Sequence, residues 1–268
     1  MRAFIRLVVV FSVVVLHHSC SVHANAHNNI FEFGSGGIFG FVADDKVQFY
    51  EWNDQTRTLD TSRIPGLFLP DGYRSVFGLS NAVGVIFDDK IHFYQIDNRE
   101  TNPWNANPIL NFSLPNEHGQ VFRHGDLSIG IVINNKIHFY NWDWESDLSH
   151  LDLPPGIRHR LWSDWESGSW ESVPYLEFSL PDEYEYIVGI QYGFLGVVIG
   201  GRGQFYEFNR GNNSWEIIPY LELLLPNGYS RIFGFNTFWE LVIGAVVGDE
   251  IQFFQKDWER EKWVDIAE

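Results

Sequence analysis

The segment Val85-Ile86-Phe87-Asp88-Asp89-Lys90-Ile91-His92-Phe93-Tyr94 contains the pattern that decides the fold: an apolar run, a two-residue polar turn and an aromatic pair. Similar segments stand at 42–50, 132–140, 198–206 and 246–254, and their aromatic pairs begin 44, 46, 66 and 48 residues apart. The turn dipeptides tolerate the positive φ that a tight hairpin requires. The chain is therefore built from five repeats of about 46 residues, each centred on a hairpin.

Two further landmarks recur between the hairpins: a tryptophan ten residues before a Leu-Pro pair, and an Asp or Asn directly after that pair. Each repeat then offers four short strands rich in β-branched and aromatic residues. Some of these strands, such as 83–87 and 241–247, are apolar at successive positions and need cover on both faces. We therefore predict an all-β fold, a β-propeller with five four-stranded blades of about 46 residues.

One alternative number of blades remains open. Leu153-Pro154 lies 27 residues before Leu180-Pro181, and the segment between them resembles a blade that has lost its first half. Six blades with one degenerate blade is therefore the alternative. At the other end of the chain, residues 30–33 form a strand that belongs to no repeat. We predict that this N-terminal strand completes the last blade or pairs beside it, and so closes the ring.

The N-terminus has the features of an export signal. Arg2 and Arg6 precede an apolar run over 7–16, and the small-residue pattern at 24–26 follows. We predict a signal peptide over 1–26 and a secreted, single-domain propeller over 27–268. The only cysteine, Cys20, lies in the signal, so no disulfide is expected. No later apolar stretch approaches the roughly 18–20 residues of a membrane span.

The charge of the chain excludes some partners. Removing the signal leaves 16 Lys and Arg against 35 Asp and Glu. Nucleic acid and anionic membranes require positive charge on the protein, so neither is an expected partner. An acidic surface of this kind keeps an aromatic-rich protein soluble.

Catalytic and metal-binding motifs are absent from the sequence. It has no Gly-x-Ser-x-Gly elbow, no His-Glu-x-x-His and no nucleotide-binding loop, so we expect no enzyme activity, no cofactor and no metal site. Acid pairs such as Asp44-Asp45 fit a turn better than a calcium loop. A glycoside hydrolase needs only two carboxylates and is the less favoured possibility. Its acids would come from the irregular, tryptophan-rich region 143–171.

The repeated landmarks supply the candidate ligand-binding residues, because sugars bind to aromatic faces beside polar groups. The aromatic candidates are Trp104, Trp170, Trp215 and Trp263, and the polar candidates are Asp71, Asn116, Asp182 and Asn227. A structural interpretation is also open, in which the tryptophans pack between blades and the Asp and Asn residues form turns. Two sequons predict glycosylation at Asn111 and Asn212.

Aromatic-ended hairpins, each followed by a tryptophan, resemble in layout the repeats of the tachylectin-type lectins over the mature chain. The resemblance implies a five-bladed propeller that binds N-acetylated sugars between its blades in innate defence. We therefore expect a secreted, non-enzymatic lectin whose repeated sites gain avidity on a glycan partner. The alternative is a secreted protein-interaction or structural component, as in venom, saliva, egg or matrix, with an extracellular protein as partner.

Overall fold

The structure is a computed structural model of the chain. It describes residues 30–34, 37–53, 55, 58–96, 104–125, 127–143, 169–190, 193–236, 241–248 and 250–266. The predicted signal peptide lies outside these residues. The described chain forms five antiparallel sheets, and its helical structure consists of two 3-10 turns, at Pro174–Leu176 and Pro219–Leu221.

The first two sheets come from the N-terminal part of the chain. The first contains β1 (Ile30–Phe33), β2 (Ile38–Ala43), β3 (Lys46–Asn53) and β4 (Thr58–Thr61), with the short β5 (Leu67–Phe68) also paired to β3. The second contains β6 (Ser75–Gly78), β7 (Ala82–Phe87), β8 (Lys90–Ile96) and β9 (Trp104–Ser113). In each sheet the strands pair in chain order, as successive hairpins do.

The other three sheets repeat this arrangement. The third contains β10 (His118–Gly125), β11 (Ser128–Ile133), β12 (Lys136–Asp143) and β13 (Ser169–Ser172), with β14 (Phe178–Ser179) beside β12. The fourth contains β15 (Tyr184–Ile190), β16 (Phe194–Ile199), β17 (Arg202–Asn209) and β18 (Ser214–Ile217), with β19 (Leu223–Leu224) beside β17. The fifth contains β20 (Tyr229–Asn236), β21 (Leu241–Val247), β22 (Glu250–Asp257) and β23 (Lys262–Asp265).

The five sheets are the blades of a closed ring. The first strands of the blades, β1, β6, β10, β15 and β20, each contact the first strand of the next blade, and β20 contacts β1. These strands therefore surround the axis, and the third and fourth strands lie towards the outside. The prediction of an all-β, five-bladed propeller with four-stranded blades is confirmed.

Two predictions about the ring are wrong. The alternative of six blades fails because β13 pairs with β12, with Trp170 opposite Trp142, so residues 144–168 are an insertion within the third blade. They lie outside the described residues. The N-terminal strand does not complete the last blade. It pairs with β2 of the first blade, since Gly34 and Gly37, both with a φ of 75°, turn the chain back directly after β1.

The hairpin turns and the Leu-Pro pairs lie together at one end of the ring, called here the turn face. Asp44, Asp45, Asn134 and Asn135 have φ between 50° and 60°, as a two-residue hairpin requires. In the four Leu-Pro pairs that the structure describes, the leucine donates its backbone N–H to the carbonyl oxygen of the second turn residue: Leu69 to Asp45, Leu114 to Asp89, Leu180 to Asn135 and Leu225 to Gly201, at 2.8–3.0 Å. These bonds fix the path from one blade to the next.

Neighbouring first strands approach each other closely at the axis. A Cβ added to Gly78 would lie 1.8 Å from the carbonyl oxygen of Glu32, and one added to Gly189 would lie 1.6 Å from that of Arg123. Glycine is therefore required at these two positions. The first and third blades carry Glu32 and Arg123 at the equivalent position, so their side chains lie near the axis.

Candidate functional site

The four tryptophans proposed as ligand platforms lie between blades. Each packs against a phenylalanine of the preceding blade: Trp104 on Phe49, Trp170 on Phe93, Trp215 on Phe139 and Trp263 on Phe205, with ring centroids 5.3–5.6 Å apart. Trp104 is 6% exposed, and the other three are half-buried. These contacts correspond to the structural interpretation of the repeat. A role in ligand binding stays a prediction.

The indole nitrogens also connect the blades. Those of Trp104, Trp215 and Trp263 donate to the carbonyl oxygens of Pro65, Leu176 and Leu221, each at 2.8 Å. These three carbonyls occupy the same position in the first, third and fourth blades. These three indole N–H groups are therefore used within the fold.

The four polar candidates lie in exposed turns on the turn face. Asp71, Asp182 and Asn227 each follow a proline whose carbonyl accepts a hydrogen bond from the tyrosine three residues on, at 3.3–3.4 Å. Asn116 is also exposed and precedes Glu117, whose φ is 61°. The four side chains stand beside the turns between blades. They are separate from the four tryptophans, so the structure does not bring the two predicted sets into one site.

Other aromatic side chains are exposed on the outer edge of the ring. Tyr175 and Tyr220 occupy the same position in the third and fourth blades, each in a 3-10 turn, and are 60% and 48% exposed. The repeated sequence Pro-Tyr-Leu-Glu, at 174–177 and 219–222, marks both turns. Sequence reasoning missed these tyrosines because it followed the tryptophans, although this tetrapeptide was a usable signal.

Each exposed tyrosine precedes an ion pair. Glu177 Oε1 accepts a hydrogen bond from Lys136 Nζ at 2.5 Å, and Glu222 Oε1 accepts one from Arg202 Nη1 at 2.6 Å. The hydrogen bond from Lys136 lowers the pKa of Glu177. The third and fourth blades therefore present the same combination of a tyrosine ring, a carboxylate and a cation. We call these two combinations the rim sites.

A buried lysine supports the rim site of the fourth blade. Lys256 occupies a position where the other blades have Trp52, Ile96, Trp142 and Phe208. Its Nζ donates to the carbonyl oxygen of Tyr220 at 2.9 Å and lies 5.2 Å and 5.9 Å from the ring centroids of Tyr220 and Trp258. Desolvation lowers the pKa of Lys256. This cation holds the Tyr220 turn against the fifth blade, beside the exposed ring of Trp258.

A cavity of about 510 Å³ lies on the axis, surrounded by the first strands of the blades. The charged side chains of its lining are Arg74, Arg123, Arg231 and Glu32. With histidine neutral, the lining carries a net charge of +2, whereas the whole chain carries −17. The lining is therefore net positive in an acidic protein, with one of its three arginines, Arg74, also paired with Asp89 outside it.

Arg123 crosses the axis towards the face opposite the turn face. Its Nη1 donates to the carbonyl oxygen of Gly34 at 2.7 Å and lies 3.4 Å from Glu32 Oε2. Both partners belong to the first blade, which is not a neighbour of the third blade in the ring. Arg123 and Glu32 are both buried. This ion pair therefore forms the floor of the cavity.

The mouth of the cavity, on the turn face, is formed by residues near the starts of the first strands. Gln120 makes two hydrogen bonds to the backbone of Ile187, through Nε2 and Oε1, and so joins the third and fourth blades. At the equivalent positions of the next two blades, the guanidinium carbon of Arg231 lies 5.7 Å from the Tyr186 ring centroid. Arg74 is exposed and lies 3.3 Å from Asp89.

The remaining sequence predictions concern glycosylation, a hydrolase site, metal binding and membrane spans. The side chains of Asn111 and Asn212, the predicted glycosylation sites, are both exposed. The acidic region proposed for a hydrolase lies mostly outside the described residues. In the described part of the chain, no group of three or more His, Cys, Asp or Glu residues could hold a metal ion. Nor does that part contain a helix with the length and hydropathy needed to cross a bilayer.

Comparison with known proteins gives structural similarities alone. No family model and no curated protein matches the sequence. Among solved structures, Kluyveromyces lactis Hsv2 is 12% identical with a TM-score of 0.41, over 87% of this chain and 82% of that one. The WD40 domain of SCAP from fission yeast is 11% identical with a TM-score of 0.43, over 90% and 52%. The N-terminal domain of Nup159 is 12% identical with a TM-score of 0.34, over 86% and 58%. Scores of this size do not bear on function.

Proposed function

We propose that the protein is a secreted, non-enzymatic binding protein that recognises glycans through the rim sites of its third and fourth blades. The observation that carries the proposal is the pair of exposed rings, Tyr175 and Tyr220, at equivalent positions, each followed by an ion-paired glutamate. A tyrosine ring gives an apolar face with a polar end, and a carboxylate and a cation accept and donate hydrogen bonds beside it. Sugar rings offer both kinds of surface.

Two similar sites on one rigid ring favour multivalent recognition. Each site is shallow and open, so its own affinity is expected to be weak. When both sites engage one glycan-bearing surface, the second contact becomes intramolecular and overall affinity rises by up to 10²–10⁴. The gain depends on geometry, and neighbouring blades of one propeller hold the two sites at a fixed separation.

A glycan array and retention on agarose beads, with elution by free sugar, test the proposal. Wild-type protein is expected to bind a defined set of glycans. Tyr175→Ala and Tyr220→Ala are each expected to reduce retention at least tenfold, and the double variant is expected to abolish it. Both side chains are exposed, so a small loss of stability is expected, although Tyr220→Ala also removes the ring beside Lys256 Nζ. Far-ultraviolet circular dichroism and Tm check that each variant is folded before its retention is measured. The proposal is rejected if wild type binds no glycan, or if the double variant binds as wild type does.

Phe68→Ala is the matched control. Phe68 is an exposed aromatic residue on the outer strand β5 of the first blade, outside the Pro-Tyr-Leu-Glu pattern. Under the glycan proposal its loss leaves bead retention unchanged. Equal loss of retention in Phe68→Ala and the tyrosine variants indicates general apolar adhesion and contradicts a specific rim site.

A protein partner is the second candidate, favoured by one observation. Phe68 and Leu224 occupy the same position in the first and fourth blades, and both are exposed on short outer strands. Apolar side chains repeated at an edge suit a protein interface. Two results together support this candidate. The wild-type protein binds no glycan on the array, and its self-association or cross-linking to a partner is reduced by Phe68→Ser and Leu224→Ser.

Secretion is a separate part of the proposal. Expression of the full chain in a eukaryotic secretory system is expected to release a protein that begins at His27 and carries glycans on Asn111, Asn212 or both. Intact-mass measurement before and after enzymatic deglycosylation reads both features. Retention of an uncleaved chain inside the cell contradicts this part.

A further inference from the structure

Arg231 is a half-buried cation in the lining of the axial cavity. Its Nε is buried and has no hydrogen-bond partner. Among the described residues it forms no ion pair, and its guanidinium carbon lies 5.7 Å from the centroid of the Tyr186 ring. Burial lowers the pKa of Arg231, yet an arginine stays protonated in proteins. A half-buried charge that has no counter-charge among the described residues loses part of its hydration, so the site favours an anion from outside.

The surroundings of Arg231 fit an anion at the mouth. Arg74 and His118 also line the cavity there, and the ring Nδ1 of His118 lies 3.1 Å from the carbonyl oxygen of Pro115. Two carboxylates outside the lining have partners of their own: Asp89 pairs with Arg74, and Glu185 accepts a hydrogen bond from Tyr229. The glutamate in the lining, Glu32, is held at the floor by Arg123. No carboxylate of the lining therefore lies at the mouth.

We propose that the mouth of the axial cavity binds a small oxyanion, a carboxylate or phosphate group, with Arg231 as its principal partner and Arg74 as a second. The planar guanidinium group donates two parallel hydrogen bonds to two oxygens of either anion. The innermost strands also present the main-chain groups of an open sheet edge to the cavity, which suits a polar ligand. This site is independent of the rim sites and of glycan binding.

The experiment uses the full folded chain in a chloride buffer, titrated with sodium phosphate or sodium citrate. Calorimetry measures affinity, and thermal unfolding measures the rise in Tm that a ligand of the native state produces. Wild type is expected to bind at least one of the two anions saturably. Phosphate alone identifies a phosphorylated ligand, citrate alone identifies a carboxylate ligand, and both together identify a general oxyanion site. Absence of saturable binding for both anions overturns the proposal.

Arg231→Gln removes the charge and keeps hydrogen-bonding groups. It is expected to weaken binding at least tenfold, the loss that one charge-assisted hydrogen bond produces. Without added anion, the variant is expected to be as stable as wild type or more stable, because a partly buried charge without a counter-charge is gone. If Arg231 had only a structural role, Arg231→Gln would be less stable than wild type in the absence of anion. Unchanged anion affinity in Arg231→Gln refutes the assignment.

Two further variants complete the test. Arg260→Gln is the matched control, since Arg260 is exposed and paired with Asp257 at 3.6 Å, outside the cavity lining. Its anion affinity is expected to equal that of wild type. Arg74→Gln changes an exposed residue that carries no core packing, so it remains informative if Arg231→Gln folds poorly. It is expected to weaken binding severalfold, and an unchanged affinity counts against the mouth as the site.

Discussion

Substitution of Trp104 by Phe tests whether the repeated tryptophans hold the blades together. The indole packs on Phe49 and donates to the carbonyl oxygen of Pro65 at 2.8 Å. Loss of that hydrogen bond costs about 1 kcal/mol, at the low end of the range because Pro65 is exposed and water can reach its carbonyl. Full truncation of a buried tryptophan costs about 3–5 kcal/mol, and the smaller phenyl ring loses about a third of that. We therefore expect Trp104→Phe to lower the free energy of unfolding by about 2–3 kcal/mol.

Equilibrium urea unfolding followed by far-ultraviolet circular dichroism measures this change without depending on the fluorescence of the substituted residue. Trp258→Phe is the control, because Trp258 is 49% exposed and its replacement is expected to cost about 0.5 kcal/mol or less. A Trp104→Phe protein within 0.5 kcal/mol of wild type refutes the packing role. Retained glycan binding in the same variant supports the separation of the tryptophans from the rim sites.

Two further predictions concern the axis and a buried histidine. Gly78→Ala places a Cβ 1.8 Å from the carbonyl oxygen of Glu32, so it is expected to cost more than about 4 kcal/mol or to prevent folding. Gly119→Ala is the control, because its closest contact is at 3.5 Å and little change in Tm is expected. Equal effects of the two substitutions would contradict the close approach of the first strands. Burial against Phe139 and Trp215 lowers the pKa of His124 from 6.5 to about 4, so the folded state resists a proton that the unfolded chain accepts. Stability from the neutral form is complete above pH 6.5 and is lost as pH falls towards 4, by about 3 kcal/mol in total. His124→Leu is expected to remove this part of the pH dependence in urea unfolding at pH 7 and 4.5, and an unchanged slope would show that another group carries it.

The sequence predicts the blades well because their determinants are local. The dipeptides Asp44-Asp45 and Asn134-Asn135 adopt the positive φ of a hairpin turn through their own conformational preference, and the leucines of the Leu-Pro pairs hydrogen-bond to those same turns. The ring closure is predicted less well, because nothing local to residues 30–33 decides between the first blade and the last. The glycines at 34 and 37 decide it, since both turn the chain back into the first blade.

The candidate sites are predicted less well still, because exposure depends on the packing of neighbouring blades. Trp215 and Tyr220 lie five residues apart and are both aromatic, yet one packs on Phe139 and the other faces solvent. The axial arginines come from three different blades and meet only when the ring closes. Sequence spacing alone does not show that Arg74 and Arg231 share a cavity.

The contact between the last and first blades, called here the seam, bears on two arginines at the axis: Arg123, which connects blades, and Arg231, which has no counter-charge among the described residues. The first blade has Leu59 where the other blades have a tryptophan, so the indole bond to the preceding blade cannot form there. Trp52 instead packs on Phe253 across the seam, with centroids 4.9 Å apart. The chain has one cysteine, and no described strand is shared between the last and first blades, so a second connection would hold the first blade more firmly in the ring. Arg123 provides it from the third blade through Gly34 and Glu32. Because that connection neutralises the acid of the lining, the positive charge of Arg231 at the other end of the cavity remains available for a ligand.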